Sequence, residues 1–199
     1  MKQVTFWYDL ASTYAFLSAM RIEERALEAG VDVVWQPFLL GPIFKAAGWD
    51  TSPFNLHPAK GRYMVRDIER IASARALTFV LPNPFPAHSL QAARLIIAQR
   101  DQATRARLSR RVFARQFDGT GFDIADPERL EAAARDVGLT DEDIARAKTD
   151  DAKADLRRAT ETAQALGIFG APSFTTTDGE LFWGDDRLDA ALRWAGEIA

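Results

Sequence analysis

The chain has no cysteine in 199 residues. That excludes a disulfide framework, a thiolate zinc site and any dithiol redox chemistry carried by the protein itself, so sulfur chemistry would have to arrive on a ligand. Histidine is nearly as scarce. His57 and His88 are the only two, and neither has a second histidine or a carboxylate at metal-ligand spacing, which points to surface or pocket-lining roles and to no metal. No stretch approaches the roughly 20 apolar residues that span a bilayer, and the opening "MKQVTFWYD" lacks the apolar segment of an export signal. These absences predict a cytoplasmic protein without a membrane partner. Positive charge is not in excess either, since the net charge is −3, and a nucleic-acid binder usually carries a basic footprint. The arginine-dense run "QRDQATRARLSRRVFARQ" is the local exception, but Leu108, Val112 and Phe113 recur in it at helical spacing, so it reads as a helix with a solvated basic face.

What is present is ample core material, with 47% of residues hydrophobic, enough for a chain of this length to fold alone. An apolar strand over 4–8 leads through "DLAS" into an amphipathic helix over 14–29, and the run "VDVVWQPFLL" after Gly30 predicts a buried strand over 31–37. Together they form a βαβ unit. From Gly41 to Gly167 the pattern is helical, with N-cap signals at Asp126 before Pro127 and at Thr140 before an acidic turn, and closing glycines at 138 and 167. "PSFTTTDGELFWG" then predicts a hairpin about Asp178-Gly179, followed by a last amphipathic helix in "DDRLDAALRWAGEIA". No repeat, low-complexity segment or flexible linker interrupts the order βαβ, helical block, ββα. The expected organisation is therefore a discontinuous α/β domain over 1–40 and 160–199, interrupted by a helical insertion over 41–159.

The turn between the first strand and helix is the natural place for chemistry. A helix start presents free N–H groups to whatever sits there, and here it is Ser12. Read locally, a serine in that position is an N-cap.

Several motifs carry a resemblance that covers essentially the whole chain. "DLASTY" follows a D-F-x-S-P-Y turn, "PAKGRYMVRDIERIA" a P-A-K-x-x-Y-M-x-R-D segment, "FGAPSF" an F-G-V-P-T turn and "FWGDDRL" a W-G-N-D-R-L terminus. In these the chain resembles the 2-hydroxychromene-2-carboxylate isomerases and the related kappa-class glutathione transferases, members of the thioredoxin fold with a DsbA-like helical insertion. Thr13 stands where the pattern has proline, and Asp185 where the isomerases have asparagine.

The resemblance implies a role for each matching residue. Ser12 would lie beside the sulfur of reduced glutathione, in the place of a redox cysteine, where a hydroxyl donor favours thiolate over thiol. The resemblance also implies a cis peptide before Pro172, with the backbone of Ala171 free to pair with a peptide ligand in β fashion. Trp183, Gly184, Asp185 and Asp186 would hold the far end of glutathione, one of the two acids taking its cationic amino group. Read without the resemblance, the same stretch is an acidic helix cap after a core tryptophan. Lys45, Asn55 and Lys60 match positions near which the family binds a carboxylate of the substrate or of glutathione; the alternative for each is an ordinary surface residue. Phe44, Trp49, Phe54 and Phe85 are candidates for either the pocket wall or the core.

The activity implied is glutathione-dependent conversion of 2-hydroxychromene-2-carboxylate, or a related aromatic ring-cleavage product of naphthalene breakdown, to trans-o-hydroxybenzylidenepyruvate. Its partners would be an aromatic carboxylate and a second copy of the chain in a homodimer. A kappa-like transferase that conjugates electrophiles, and a catalytically idle thioredoxin-fold binding module, remain the alternatives.

Overall fold

The computed structural model describes residues 2–197. Four strands, β1 (Gln3–Tyr8), β2 (Asp32–Pro37), β3 (Ser173–Thr176) and β4 (Leu181–Trp183), form one sheet in the order β2-β1-β3-β4. β1 runs parallel to β2, with Phe6 opposite Trp35, and antiparallel to β3, with Phe6 opposite Phe174. The β3–β4 pair is antiparallel. This is the sheet of a thioredoxin-like fold, and it explains why "TFWY" is apolar without alternation: both faces of β1 are covered. On one face Phe6 and Tyr8 meet Trp35, Phe174 and Phe113. The Tyr8 hydroxyl lies 2.6 Å from that of Ser109. On the other face Trp7 packs with Phe38, Ile43, Ala163 and Ile168, and its indole N–H donates to Thr175 Oγ1 at 2.9 Å.

The helix expected over 14–29 is two helices, α1 (Thr13–Ala19) and α2 (Ile22–Ala29), separated at Met20 and Arg21. No glycine or proline marks the break. Arg21 sits at the joint, and its guanidinium reaches Asp185 and Asp189 at the other end of the chain. The eight-residue α2 ends at Gly30 in the left-handed region, as a C-terminal glycine permits.

After β2 come α3 (Leu40–Ala46), α4 (Pro53–Leu56), α5 (Pro58–Ala74), α6 (Leu90–Ile97), α7 (Gln102–Gln116), α8 (Pro127–Asp136), α9 (Asp141–Ala145) and α10 (Asp150–Ala165). The caps read from sequence are formed: Asp126 accepts from Glu128 N–H, and Thr140 makes a reciprocal capping box with Asp143. α7 buries Leu108, Val112 and Phe113, while Arg110 and Arg111 turn outward to Glu23 and Asp136. One turn of 3₁₀ helix (Asp185–Arg187) leads into α11 (Leu188–Glu197), which packs on β1 and β3. The buried apolar residues of the 41–159 segment are continuous with those of the sheet: Phe16 of α1 packs against Phe113 and Phe117 of the α7 region.

Candidate functional site

The C-terminal end of β1 carries the turn that positions Ser12. Asp9, directly after the strand, is almost wholly buried; its two carboxylate oxygens accept from Ala11 N–H at 2.9 Å and from Leu40 N–H at 2.8 Å. One side chain thus ties the Ser12 turn to the first residue of α3. Burial pushes the Asp9 pKa up, opposed by the hydrogen bonds from Leu40, Ala11 and Ser89.

Ser12 has extended backbone at the start of α1. Its Oγ accepts from Ala15 N–H at 3.2 Å and donates to the carbonyl oxygen of Ala171 at 3.0 Å. The local reading as an N-cap therefore holds, and the hydroxyl also reaches across 159 positions of sequence to the second half of the site. Because α1 is only seven residues long, the dipole behind Ser12 is that of two turns, less than the long helix expected. Thr13 is buried and turns its hydroxyl to Met64 Sδ at 3.7 Å.

The facing wall is the segment before β3. The Ala171-Pro172 bond is cis, and Pro172 C=O accepts from Gly184 N–H at 3.0 Å, which ties this turn to the end of β4. Trp183 lies directly over Gly170, so close that a Cβ there would collide with the indole nitrogen. Its ring also packs on Phe169, with centroids 4.8 Å apart. Both rings are about half exposed and form one rim of the site.

The two adjacent acids differ completely in surroundings. The Asp185 carboxylate is 4% exposed and already held by Arg75 at 2.6 and 3.2 Å, Ser18 at 2.9 Å and Arg21 at 3.4 Å. Arg21 also donates to its backbone carbonyl at 2.6 Å. Asp186 is 73% exposed, lines the open cleft and pairs with Arg187 at 3.3 Å.

Between these walls and the helical segment lies a cavity of about 950 Å³. Ser12, Ala171, Pro172, Trp183, Gly184, Asp185 and Asp186 all border it, so the residues expected to hold a ligand from both ends of the chain are brought together. Phe44, Trp49, Phe54 and Phe85 border it as well, which places them on the wall. Lys45, Asn55 and Lys60 do not. Lys45 is on the exposed side of α3, Asn55 donates to Thr51 at 3.1 Å, and Lys60 is exposed in the first turn of α5. These three lie outside the cavity lining and are exposed, while Phe44 of α3 and Phe54 of α4 border the cavity. His88 is on the cavity edge and His57 is exposed outside it.

Sequence reasoning missed Asp9 as the tie of the turn, and it missed the Tyr14–Asp67 pair. Tyr14 donates its hydroxyl to Asp67 Oδ2 at 2.9 Å on the cavity wall, and burial together with that carboxylate raises the phenol pKa. The signal was present only as two motif letters 53 positions apart.

The DSBA-like thioredoxin domain family matches residues 3–193. A curated 2-hydroxychromene-2-carboxylate isomerase of Sphingobium xenophagum is 28% identical over 190 residues, covering 94% of this chain and 95% of its own. Among solved structures, a 2-hydroxychromene-2-carboxylate isomerase superposes with a TM-score of 0.82 at 22% identity, covering 94% of this chain and 90% of that one. The cytosolic disulfide reductase DsbM of Pseudomonas aeruginosa, solved with GSH, superposes with a TM-score of 0.65 at 15% identity, over 97% and 95% of the two chains.

Proposed function

The chain belongs to the DSBA-like thioredoxin domain family, and from that premise we propose that it is a glutathione-dependent cis–trans isomerase of an aromatic ring-cleavage product of the 2-hydroxychromene-2-carboxylate type. The observation that carries this reading is the Ser12 hydroxyl, which borders a large cavity and donates to the Ala171 carbonyl, in a chain with no cysteine. The name of the S. xenophagum relative supports the reaction class, and the GSH complex of DsbM supports the cofactor.

The residues present fit glutathione. Ser12 supplies a hydrogen-bond donor where a sulfur would lie, Ala171 a backbone carbonyl beside it, and Asp186 an exposed carboxylate on the same cleft for a cationic amino group. When bound, glutathione supplies a thiolate whose reversible addition makes a C=C bond single and free to rotate, and whose departure restores the double bond.

The protein's part is to manage one hydrogen. Ser12 has a single O–H, and it is spent on Ala171 in the structure. A peptide ligand lying beside Ala171 in β fashion offers its own N–H to that carbonyl, which releases the serine hydrogen for the sulfur. The exchange favours negative charge on sulfur without adding a charge to the protein. Because one hydrogen bond is traded for another, the sulfur end contributes little net affinity. Most of it comes from contacts remote from the sulfur, Asp186 among them.

Ser12→Ala tests the reading. Loss of a preorganised donor costs on the order of 10²-fold in rate, and the far-UV circular dichroism of the variant should match that of the wild type. The thiolate absorbance of glutathione should also appear at lower pH with wild-type protein than without it. Unchanged turnover in Ser12→Ala would leave the serine as a cap alone.

A further inference from the structure

The aromatic wall of the cavity has a chemistry that the reaction class does not dictate. Phe44, Trp49, Phe54, Ile71 and Phe85 supply a largely apolar surface, with the Phe44 and Trp49 ring centroids 5.8 Å apart. The charged groups that border it are carboxylates: Asp67 beside Tyr14, paired with Arg70 at 3.3 Å, Asp186, paired with Arg187 at 3.3 Å, Asp50, and the buried Asp9, held by backbone N–H groups. Asp185 also borders the cavity, and Arg21 and Arg75 answer its charge. Among the described residues that line the cavity there is no lysine or arginine, and His88 is the one basic side chain. Lys45 and Lys60, the cations expected here, face solvent.

An aromatic ring placed against this wall finds apolar and aromatic partners. A carboxylate on that ring would leave water for a surface whose lining offers it no lysine or arginine.

We propose that this subsite takes an uncharged aromatic ketone or aldehyde in preference to an aromatic carboxylate. The proposal rests on the isomerase reading for what the bound molecule goes on to do, and it keeps the reaction of that reading while changing the substrate class, since the substrate named for the curated relative carries a carboxylate. The carbonyl conjugated to the C=C bond is the part the chemistry requires, because it takes up the electron pair when a nucleophile adds and returns it on elimination. The carboxylate is not needed for that step.

Two unreactive ligands that differ only in this group make the test. Benzylacetone and benzylpyruvate share the phenyl ring, the chain and the ketone, and a methyl in one is a carboxylate in the other. Their dissociation constants are measured by isothermal titration and by Trp49 fluorescence, with the full chain and with glutathione present. Benzylacetone should bind about tenfold more tightly or better, because its methyl carries no charge to be taken out of water. Ile71→Lys, which sets a cation on the same surface, should shift the preference toward benzylpyruvate. Equal or tighter binding of benzylpyruvate to the wild type, or no binding of either ligand at millimolar concentration, would overturn the proposal.

Turnover of the cis forms of benzylideneacetone and benzylidenepyruvate separates this proposal from the reading beneath it. If neither is isomerised faster than by glutathione alone while benzylacetone still binds preferentially, the isomerase reading falls and the subsite assignment stands. If isomerisation is catalysed but the carboxylate is preferred in binding, the reverse holds.

Discussion

Removing the carboxylate of Asp185 should unfold the protein at lower temperature, and removing that of Asp186 should not, although the two are neighbours. Asp185 joins three segments: Ser18 of α1, Arg21 at the α1–α2 joint and Arg75 just past α5 all donate to it. Taking one partner from a buried ion pair costs about 3–5 kcal/mol, because the remaining charge is left buried and unpaired. Here the loss is smaller. The Arg21 and Arg75 side chains keep 17% and 30% exposure, and Arg21 retains Asp189 at 3.0 Å. Both guanidinium groups can therefore rehydrate in part, and roughly 2–3 kcal/mol remains for Asp185→Ala. At about 2–4 °C per kcal/mol for a chain of this size, Tm should fall by roughly 4–12 °C. Asp185→Asn, which can still accept from Ser18, should fall by less. Asp186→Ala should keep the wild-type Tm and instead weaken glutathione binding by about tenfold, the effect of one charge-assisted hydrogen bond. The assays are thermal unfolding followed by circular dichroism and titration calorimetry with glutathione on all three variants. A wild-type Tm in Asp185→Ala would refute the argument that this carboxylate is a structural joint. Normal glutathione affinity in Asp186→Ala would refute its assignment to the ligand.

Asp9 has a pH signature. A carboxyl whose folded pKa is raised above 3.8 keeps its proton longer in the folded chain, so its contribution to stability falls as pH rises from 3.8 through the raised value. Asp9→Asn cannot ionise, and whatever fixed cost its amide incurs beside the Ala11 and Leu40 N–H groups, its urea midpoint relative to wild type should climb across that window and then level off. A flat or falling difference would contradict the burial argument. Gly61→Ala should disturb the aromatic wall selectively, because a Cβ at this position would lie 2.6 Å from the Phe54 carbonyl oxygen, and Phe54 must move. Benzylacetone binding should weaken several-fold with glutathione affinity unchanged; loss of both together would place Gly61 in general folding instead.

Elements with local causes were legible before the structure. The apolar run "TFWY", the Asp178-Gly179 turn and the Asp126 and Thr140 caps each act through neighbours in sequence, and each appears where expected. The break between α1 and α2 was not legible. "SAMRIEERA" is sound helical sequence, and the partners Asp185 and Asp189 that meet Arg21 at the joint lie more than 160 positions away. Asp185 and Asp186 look equivalent as letters for the same reason; Ser18, Arg21 and Arg75 distinguish them only once the chain is folded. Lys45 and Lys60 show the converse difficulty. A motif alignment locates a residue on a segment, but the phase of a short helix decides whether it faces the cavity, and one residue of phase exchanges Lys45 for Phe44.

The position of β1 in the sheet has a consequence for synthesis. One of its edges is satisfied early, by β2 within the first 37 residues, whereas the other waits for Phe174 and its neighbours. Contacts this distant in sequence form late. Through most of translation the ribosome therefore carries a strand rich in aromatic side chains with one row of N–H and C=O groups open, a template for association with other unfinished chains. The helices between can form in the meantime, but they pair with none of that row, which β3 takes. A chain ending at Gly167 should accordingly collect in the insoluble fraction, while the full chain stays in solution; a soluble, monomeric truncated form would show that the helical segment shields β1 unaided. The arrangement that lets Ser12 meet Ala171 thus leaves the site's central strand dependent on a segment made long after it.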